Sequence, residues 1–484
     1  MNLPSHDEIV ATLQARWPEH RVAPSLGRIA ALMDLLGHPE QAAPVIQVAG
    51  TNGKGSTAIM IDALLRASGL RTGRFSSPHL QDITERIVID GEAITPQRFD
   101  EIWEEIAPLA GLVDEQAIDG VPCTFFEVMT AMAYTAFADA PVDVAVMEVG
   151  LGGRWDATSV ADAAVAVVAP VDLDHTHILG STVAEIAAEK AGIIKPGAVA
   201  VLAAQAPAAA EVLVRRCLEA GAQMVREGED FGLLDRQMAA GGQVVRLLGA
   251  DGPVGDLFLP LHGEHMAHNA ALAVAACEAL LGRALSPEVI QAGFDDVRAP
   301  ARLELVHDDP PVVLDTAHNP HAVRATLAGV TEAFAFAPLI GVLAMMRDKA
   351  VEQVLELLEP EVATLVVTQV AGTERALPVD ELAELARDIF GDDRVIAAPD
   401  AKAALQQAEA LARNGGSQAG VLVLGSVYLA GEVRELFVSQ RRREEALLDD
   451  RRYIEDDPSA KLPDEWVQWL AGHDDDRTGP WDDI

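Results

Sequence analysis

Apolar residues in this chain arrive in short runs, and segments with apolar positions at helical spacing alternate with them. A run ending Ile46-Gln47-Val48 reads as a strand, and Ile59, Ile61, Leu64 and Leu65 then mark a helix. Ile87-Val88-Ile89 followed by Asp90-Gly91 predicts a strand entering a hairpin. Runs at 142–149, 163–171 and 198–204 read as buried strands, and 124–138, about 182–193 and 265–281 as helices. Ser5 and Glu8 have capping-box spacing ahead of Ile9, Val10 and Leu13. Such alternation predicts a mostly parallel sheet with its working residues at the strand carboxyl ends. The pattern breaks near Val297-Arg298-Ala299-Pro300-Ala301-Arg302. Five further runs (312–315, 339–343, 363–368, 394–397, 420–424) then alternate with helical segments. The expected fold is therefore α/β: a mostly parallel N-terminal domain over 1–299, then a smaller Rossmann-like α/β domain over 300–439. From residue 440 the pattern dissolves into an acidic tail, 440–484, which still carries Trp466, Trp469 and Trp481.

Residues 49–56, Ala-Gly-Thr-Asn-Gly-Lys-Gly-Ser, fill the turn between the first strand and its helix. Gly50, Gly53 and Gly55 free backbone N–H groups to surround phosphates at the positive end of a helix. Lys54 would reach the outer phosphates and Ser56 would hold Mg²⁺, which makes this a P-loop. Gly55 stands where the usual motif has its hydroxyl, and Ser56 follows one position later. Phe75-Ser76-Ser77-Pro78-His79 reads as a polar turn near those phosphates. Glu148 closes a strand otherwise made of Val and Met, the placement of a magnesium ligand rather than a solvated strand-end acid. Asp174-His175 follows the next strand and is expected beside it. Glu185, Glu189, Lys190 and Lys195 decorate one helix, which by spacing alone is a solvated, ion-paired surface. Asp315 and His318 close the first strand of the second domain, and Gly425-Ser426 opens a helix that could take a carboxylate. The residues describe an ATP–Mg²⁺ enzyme with a cleft between two domains; kinase, ATPase and ligase stay open.

Composition narrows the setting. The formal net charge of −39 over 484 residues excludes a nucleic-acid groove, and it suits solubility or a salty cytoplasm. It also means that local cations and backbone dipoles must overcome a field hostile to ATP. Three scattered cysteines suggest neither disulfides nor a zinc site. The N-terminus does not read as a signal peptide, and no apolar stretch is long enough to span a bilayer. A cytoplasmic protein without membrane partners is expected.

Several motifs together resemble one family. They are Gly50–Ser56, Ser76-Ser77-Pro78-His79, Glu148-Val149-Gly150-Leu151-Gly152-Gly153-Arg154 with Asp156-Ala157-Thr158, Asp174-His175, Glu189–Gly197, and Asp315-Thr316-Ala317-His318-Asn319-Pro320. In this order they resemble folylpolyglutamate synthase/dihydrofolate synthase, the folate branch of the Mur ligase superfamily, over about residues 20–437. The resemblance implies an ATP-dependent amide ligase that adds L-glutamate to dihydropteroate or a reduced folate through an acyl phosphate, as a monomer.

Matching motifs imply ATP contacts at Gly50, Thr51, Asn52, Gly53, Lys54, Gly55, Ser56, Asn269, Arg302 and Asp315. Magnesium would rest on Ser56, Ser77, Glu148 and His175, with Lys54, Glu148, His175 and Lys190 as the catalytic set. Lys190 resembles the family lysine that is modified to a carbamate, which needs a neutral amine and so a lowered pKa. Folate would lie near Phe75, Thr124, Phe125 and Asp156, and glutamate near His318 and Ser426. The chain departs from the family pattern at Ser159, Ala301 and Ala350. Two alternatives compete: a Mur-type ligase acting on a cell-wall precursor, and a non-catalytic nucleotide-binding regulator. Only about 44 residues precede the first strand, which counts against the former; the Glu148/His175 and Asp315/His318 pairs count against the latter.

Overall fold

The computed structural model describes residues 4–18 and 23–439. Residues 1–432 gather into one compact unit, and the described residues beyond it, 433–439, are helical and belong to a second. The tail expected over 440–484 lies outside the described residues.

The larger sheet of the first unit has eight strands. Edge to edge they are Glu92–Ala93, Ile87–Ile89, Thr72–Phe75, Val144–Glu148, Val45–Ala49, Val165–Val168, Val199–Leu202 and Gln223–Arg226. The last six run parallel, and the first two form an antiparallel hairpin at one edge. Every residue of Val45–Ala49, Val144–Glu148 and Val165–Val168 is buried, which is why these strands read as unbroken apolar runs. Helices Lys54–Ala67 and Glu264–Leu281 pack on one face, and Pro96–Glu115 and Phe125–Asp139 on the other. Capping boxes open Phe125–Asp139 (Thr124 with Glu127) and Val183–Lys190 (Thr182 with Glu185).

The chain enters at the central strand Val45–Ala49, builds one side of the sheet, and then crosses to the other. That reversal leaves a crevice at the carboxyl ends of the middle strands. The order corrects one expectation. Glu148 and Asp174-His175 are not on neighbouring strands, because Val45–Ala49 pairs with both Val144–Glu148 and Val165–Val168. The glycine turn therefore lies between the two acidic strand ends.

A six-stranded sheet runs Arg302–Asp308, Pro311–Asp315, Gly420–Leu424, Leu339–Leu343, Thr364–Val367, Val395–Ala397. All five apolar runs expected there are strands. The antiparallel edge strand Arg302–Asp308 is an addition, and its mix of buried and open positions gave no continuous run to read. A three-stranded antiparallel sheet, Gly232–Ala239, Gly242–Gly249 and Gly252–Leu259, was also not foreseen. It sends Val245, Leu247, Leu257 and Leu259 into the core shared by Lys54–Ala67 and Glu264–Leu281.

Candidate active site

The 50–56 turn is closed against its surroundings at three glycines. A Cβ on Gly50 (φ +151°) would lie 2.7 Å from the Ala169 Cβ, and one on Gly53 (φ +86°) 2.7 Å from Asn269 Oδ1. At Gly55 it would stand 3.3 Å from Glu148 Oε1. Gly53 is also the N-cap of Lys54–Ala67 and supplies no side-chain capping bond, so first-turn N–H groups stay open to an anion. Thr51 Oγ1 donates to Asp172 O (2.9 Å) and accepts from Asp172 N (3.0 Å), pinning the turn to the loop after Val165–Val168. Lys54 Nζ folds back to donate to Gly50 O (3.1 Å) and Thr51 O (3.2 Å). Burial holds this ammonium below its ordinary pKa, against the opposing pull of Glu148 and Asp174. Ser56 is buried at the start of the same helix and lines the cleft.

Glu148 is 5% exposed, and its carboxylate accepts from Ser77 N–H at 3.2 Å and from no other donor among the described residues. Burial lifts its carboxyl above the ordinary value, and Lys54 opposes the shift. Lys190 is buried, not a solvated helix surface, and Nζ donates to Gly50 O at 2.7 Å. Burial and then the neighbouring Lys54 push its pKa down to about 7. Asp174 lies at the junction with the second domain. Its Oδ1 accepts from Lys349 Nζ (2.7 Å), and its Oδ2 accepts from Asn319 Nδ2 (3.1 Å) and faces His318 Nε2 (3.5 Å). Burial alone would raise the Asp174 carboxyl, but His318, Lys349 and His175 together hold it well below the carboxylate range. His175 Nε2 faces Lys349 Nζ at 3.3 Å; burial and that ammonium push the ring to about 3, so it is neutral.

Among the described residues no three His, Cys, Asp or Glu side chains converge as a metal centre. The donor set beside the turn is instead two hydroxyls, Ser56 and Ser77, and the under-bonded Glu148 carboxylate. Hard oxygen donors around one buried charge fit Mg²⁺. His175 stands one strand further along.

The second domain adds Arg302, Asp315 and His318 to the same cleft. Asp315 is buried and already engaged: its carboxylate accepts from Leu303 N (3.0 Å), Ala317 N (2.8 Å) and Thr326 Oγ1 (2.9 Å). Arg302 donates to Ala301 O and Thr316 Oγ1. Asn319 and Asn52 exchange amide hydrogen bonds at 3.0 and 3.3 Å, tying the glycine turn to the second domain. Asn269 lies over Gly53, and Ser426 follows Gly425 (φ +99°) where the last helix opens.

At the other end of the cleft the aromatic assignment shifts. Phe75 is fully buried in the sheet, and Phe125 lies under the Arg86 guanidinium at 5.0 Å; neither lines the cleft. Phe126 does, because one residue of helix turns the side chain by about 100°. Thr124 lines the cleft as the N-cap of that helix. Asp156 lines it too, yet accepts from Gly150 N, Leu151 N, Thr158 N and Thr158 Oγ1. Trp155, beside it, is half exposed. The cavity measures about 1540 Å³, beyond the roughly 300–1,000 Å³ of a single small-ligand site. It has room for more than one substrate. Sequence reasoning did not assign Lys349, Asn319, Phe126 or Trp155 to the site.

Residues 104–277 match the Mur ligase middle domain and residues 301–427 the Mur ligase glutamate ligase domain, so fold and site define an ATP-dependent ligase of the Mur class. The chain is 46% identical over 466 residues to the dihydrofolate synthase/folylpolyglutamate synthase of Mycobacterium tuberculosis, covering 90% of this chain and 96% of that protein. The solved structure of M. tuberculosis folylpolyglutamate synthase complexed with ADP superposes with a TM-score of 0.86 at 46% identity, over 89% of this chain and 98% of that one. E. coli FolC in complex with DHPP and ADP superposes with a TM-score of 0.79 at 29% identity, over 90% and 99%. The chain belongs to the dihydrofolate synthase/folylpolyglutamate synthase family.

Proposed function

We propose that this enzyme joins L-glutamate to dihydropteroate, to reduced folates, or to both, with ATP giving ADP and phosphate. One observation carries the reading. A single cleft gathers an uncapped glycine turn, a buried under-bonded carboxylate at Glu148, and the 315–319 loop of a second domain. An acceptor carboxylate oxygen attacks the γ-phosphorus, and the β–γ bridging oxygen leaves with its electron pair on ADP. The glutamate amine, as the free base, then attacks the acyl carbonyl carbon. The tetrahedral intermediate collapses to an amide, expels phosphate and sheds the amine proton. Three anionic reactants must meet in one place, so positioning and charge neutralisation supply most of the catalysis.

In this reading the 50–56 turn, Asn269, Arg302 and Asp315 take the nucleotide, and Lys54 neutralises the outer phosphates. Ser56, Ser77 and Glu148, with His175 further along, would hold Mg²⁺, which supplies charge neutralisation between the reacting oxygens. Lys190 takes up CO₂ as a carbamate; its pKa of about 7 keeps much of the amine neutral near physiological pH. Thr124, Phe126 and the Gly150–Asp156 loop hold the acceptor, and Phe126 offers the ring for a pterin. His318 and Ser426 take glutamate. Residues 1–299 serve as the ATP-binding domain and 300–439 as the glutamate-ligase domain. A cytoplasmic monomer is proposed; the three buried, unpaired cysteines suit a reducing compartment.

The test is incubation of pure enzyme with ATP, Mg²⁺, isotope-labelled glutamate and either dihydropteroate or tetrahydrofolate, read by mass spectrometry. A product heavier by one glutamyl unit with at least one acceptor is expected. No amide with either acceptor would reject the proposal.

A further inference from the structure

Of the chain's 36 basic residues only six are lysines (Lys54, Lys190, Lys195, Lys349, Lys402 and Lys461), and the other 30 are arginines. Most ion pairs among the described residues use arginine, with Lys195–Asp162 (3.2 Å) one of the exceptions. Arg347 grips Glu381, Arg375 grips Asp348, and Arg236 grips Glu332, each through two hydrogen bonds. A planar guanidinium does that work better than an ammonium. An ammonium is a compact, three-donor point charge, and three of the six lysines lie in the cleft: Lys54, Lys190 and Lys349.

Lys349 comes from the loop after the strand Leu339–Leu343, so it belongs to the second domain. Its side chain is 7% exposed, and Nζ contacts Asp174 Oδ1 (2.7 Å) and His175 Nε2 (3.3 Å). Asp174 is joined through Asn319 to Asn52 of the glycine turn. The ammonium is thus held at the phosphate end of the cleft, near enough that Lys54 feels its charge.

Resting on the function proposed above, we infer that Lys349 is a catalytic cation supplied by the second domain. Its ammonium moves from Asp174 and His175 to the non-bridging oxygens of the phosphoryl group passing from ATP to the acceptor carboxylate. The bond forming is carboxylate oxygen to γ-phosphorus; the bond breaking is γ-phosphorus to the β–γ bridging oxygen. Lys349 donates hydrogen bonds throughout and transfers no proton. A cation reaching that site from the opposite domain also confines phosphoryl transfer to the docked arrangement of the two domains.

The test compares wild type with Lys349→Gln and Lys349→Arg in two assays. One is amide formation with glutamate. The other is acyl-hydroxamate formation with hydroxylamine in place of glutamate, which reports the acyl phosphate alone. Lys349→Gln should slow both by about 100-fold, the scale of losing one preorganised charge donor, with the glutamate KM moving less than about 3-fold. Lys349→Arg should recover only part of the loss. ADP binding and thermal melting of each variant check that it is folded. The inference is overturned by hydroxamate formation at the wild-type rate alongside a raised glutamate KM, which makes Lys349 a glutamate contact. It is equally overturned by full recovery in Lys349→Arg, or by unchanged rates in Lys349→Gln. A wild type that makes neither product sinks the function itself and this assignment with it.

Discussion

Two strands of this protein end alike and behave differently. Val144–Glu148 and Pro311–Asp315 each place a buried carboxylate at the carboxyl end of a parallel-sheet strand, on the wall of the same cleft. Asp315 is fully occupied at home, with two backbone N–H groups and one hydroxyl on its oxygens. Glu148 has one N–H at 3.2 Å and the nearby Lys54 charge, and burial raises its pKa. A buried carboxylate whose lone pairs are filled by its own loop fixes backbone geometry. One left short is uncomfortable until something cationic arrives, so hydrogen-bond satisfaction separates the carboxylate open to a cation from the one that also fixes its own loop, where position does not.

Substitution should invert the two sites. Glu148→Gln, which keeps the shape and removes the charge, is expected to cut turnover by about 1,000-fold, the upper range for losing a site that organises transition-state charge. It should leave the melting temperature unchanged or raised. A clear drop in melting temperature with turnover retained would make Glu148 a scaffold residue. Next in size, Lys190→Ala should slow turnover by about 100-fold with the fold intact by circular dichroism. The wild-type rate should fall as pH drops below about 7, where the amine becomes the ammonium and no longer takes up CO₂. A wild-type acid limb in the variant would break that link.

Asp315→Asn should do the reverse of Glu148→Gln. Its amide cannot accept all three hydrogen bonds, so denaturant unfolding should show a loss of about 1–3 kcal/mol. Its kcat should stay within about tenfold of wild type. A catalytic collapse without destabilisation would erase the contrast between the two strand ends. The smallest effect concerns Lys190 and stability. Its folded pKa, about 7, lies below its unfolded value, so the unfolded chain binds an extra proton between about 7 and 10.5. Stability therefore rises with pH across that window. Lys190→Met should be more stable than wild type at pH 7, with the gap closing toward pH 10; a gap that widens would contradict the sign.

Much of this site could be read from the chain because parallel strands buried on both faces leave continuous apolar runs, and their carboxyl ends then point to Lys54, Ser56, Glu148 and Asp315 without further help. The order of those strands could not be read. Val144–Glu148 inserts beside Val45–Ala49 from a hundred residues away, and nothing local records that pairing. The edge strand Arg302–Asp308 hid behind its alternating exposure. Phe126 was missed for Phe125 because helix phase, rather than residue type, decides which ring meets the cleft. Lys349 was visible only as one residue of Asp348-Lys349-Ala350. Its meaning came from a partner 175 positions away at Asp174, although the scarcity of lysine was a signal in plain view.

The paired amides of Asn52 and Asn319 carry a thermodynamic consequence. The glycine turn proposed to cradle phosphate is itself one of the points where the two sheets hold each other. Whatever fills the turn must either keep that grip or release it, and linkage requires the effect to run both ways. Occupancy of the turn and the docking of the two sheets are then linked, so loosening the second domain should weaken nucleotide affinity if the filled turn keeps the grip and strengthen it if the filled turn releases the grip, even though the change lies outside the 50–56 turn.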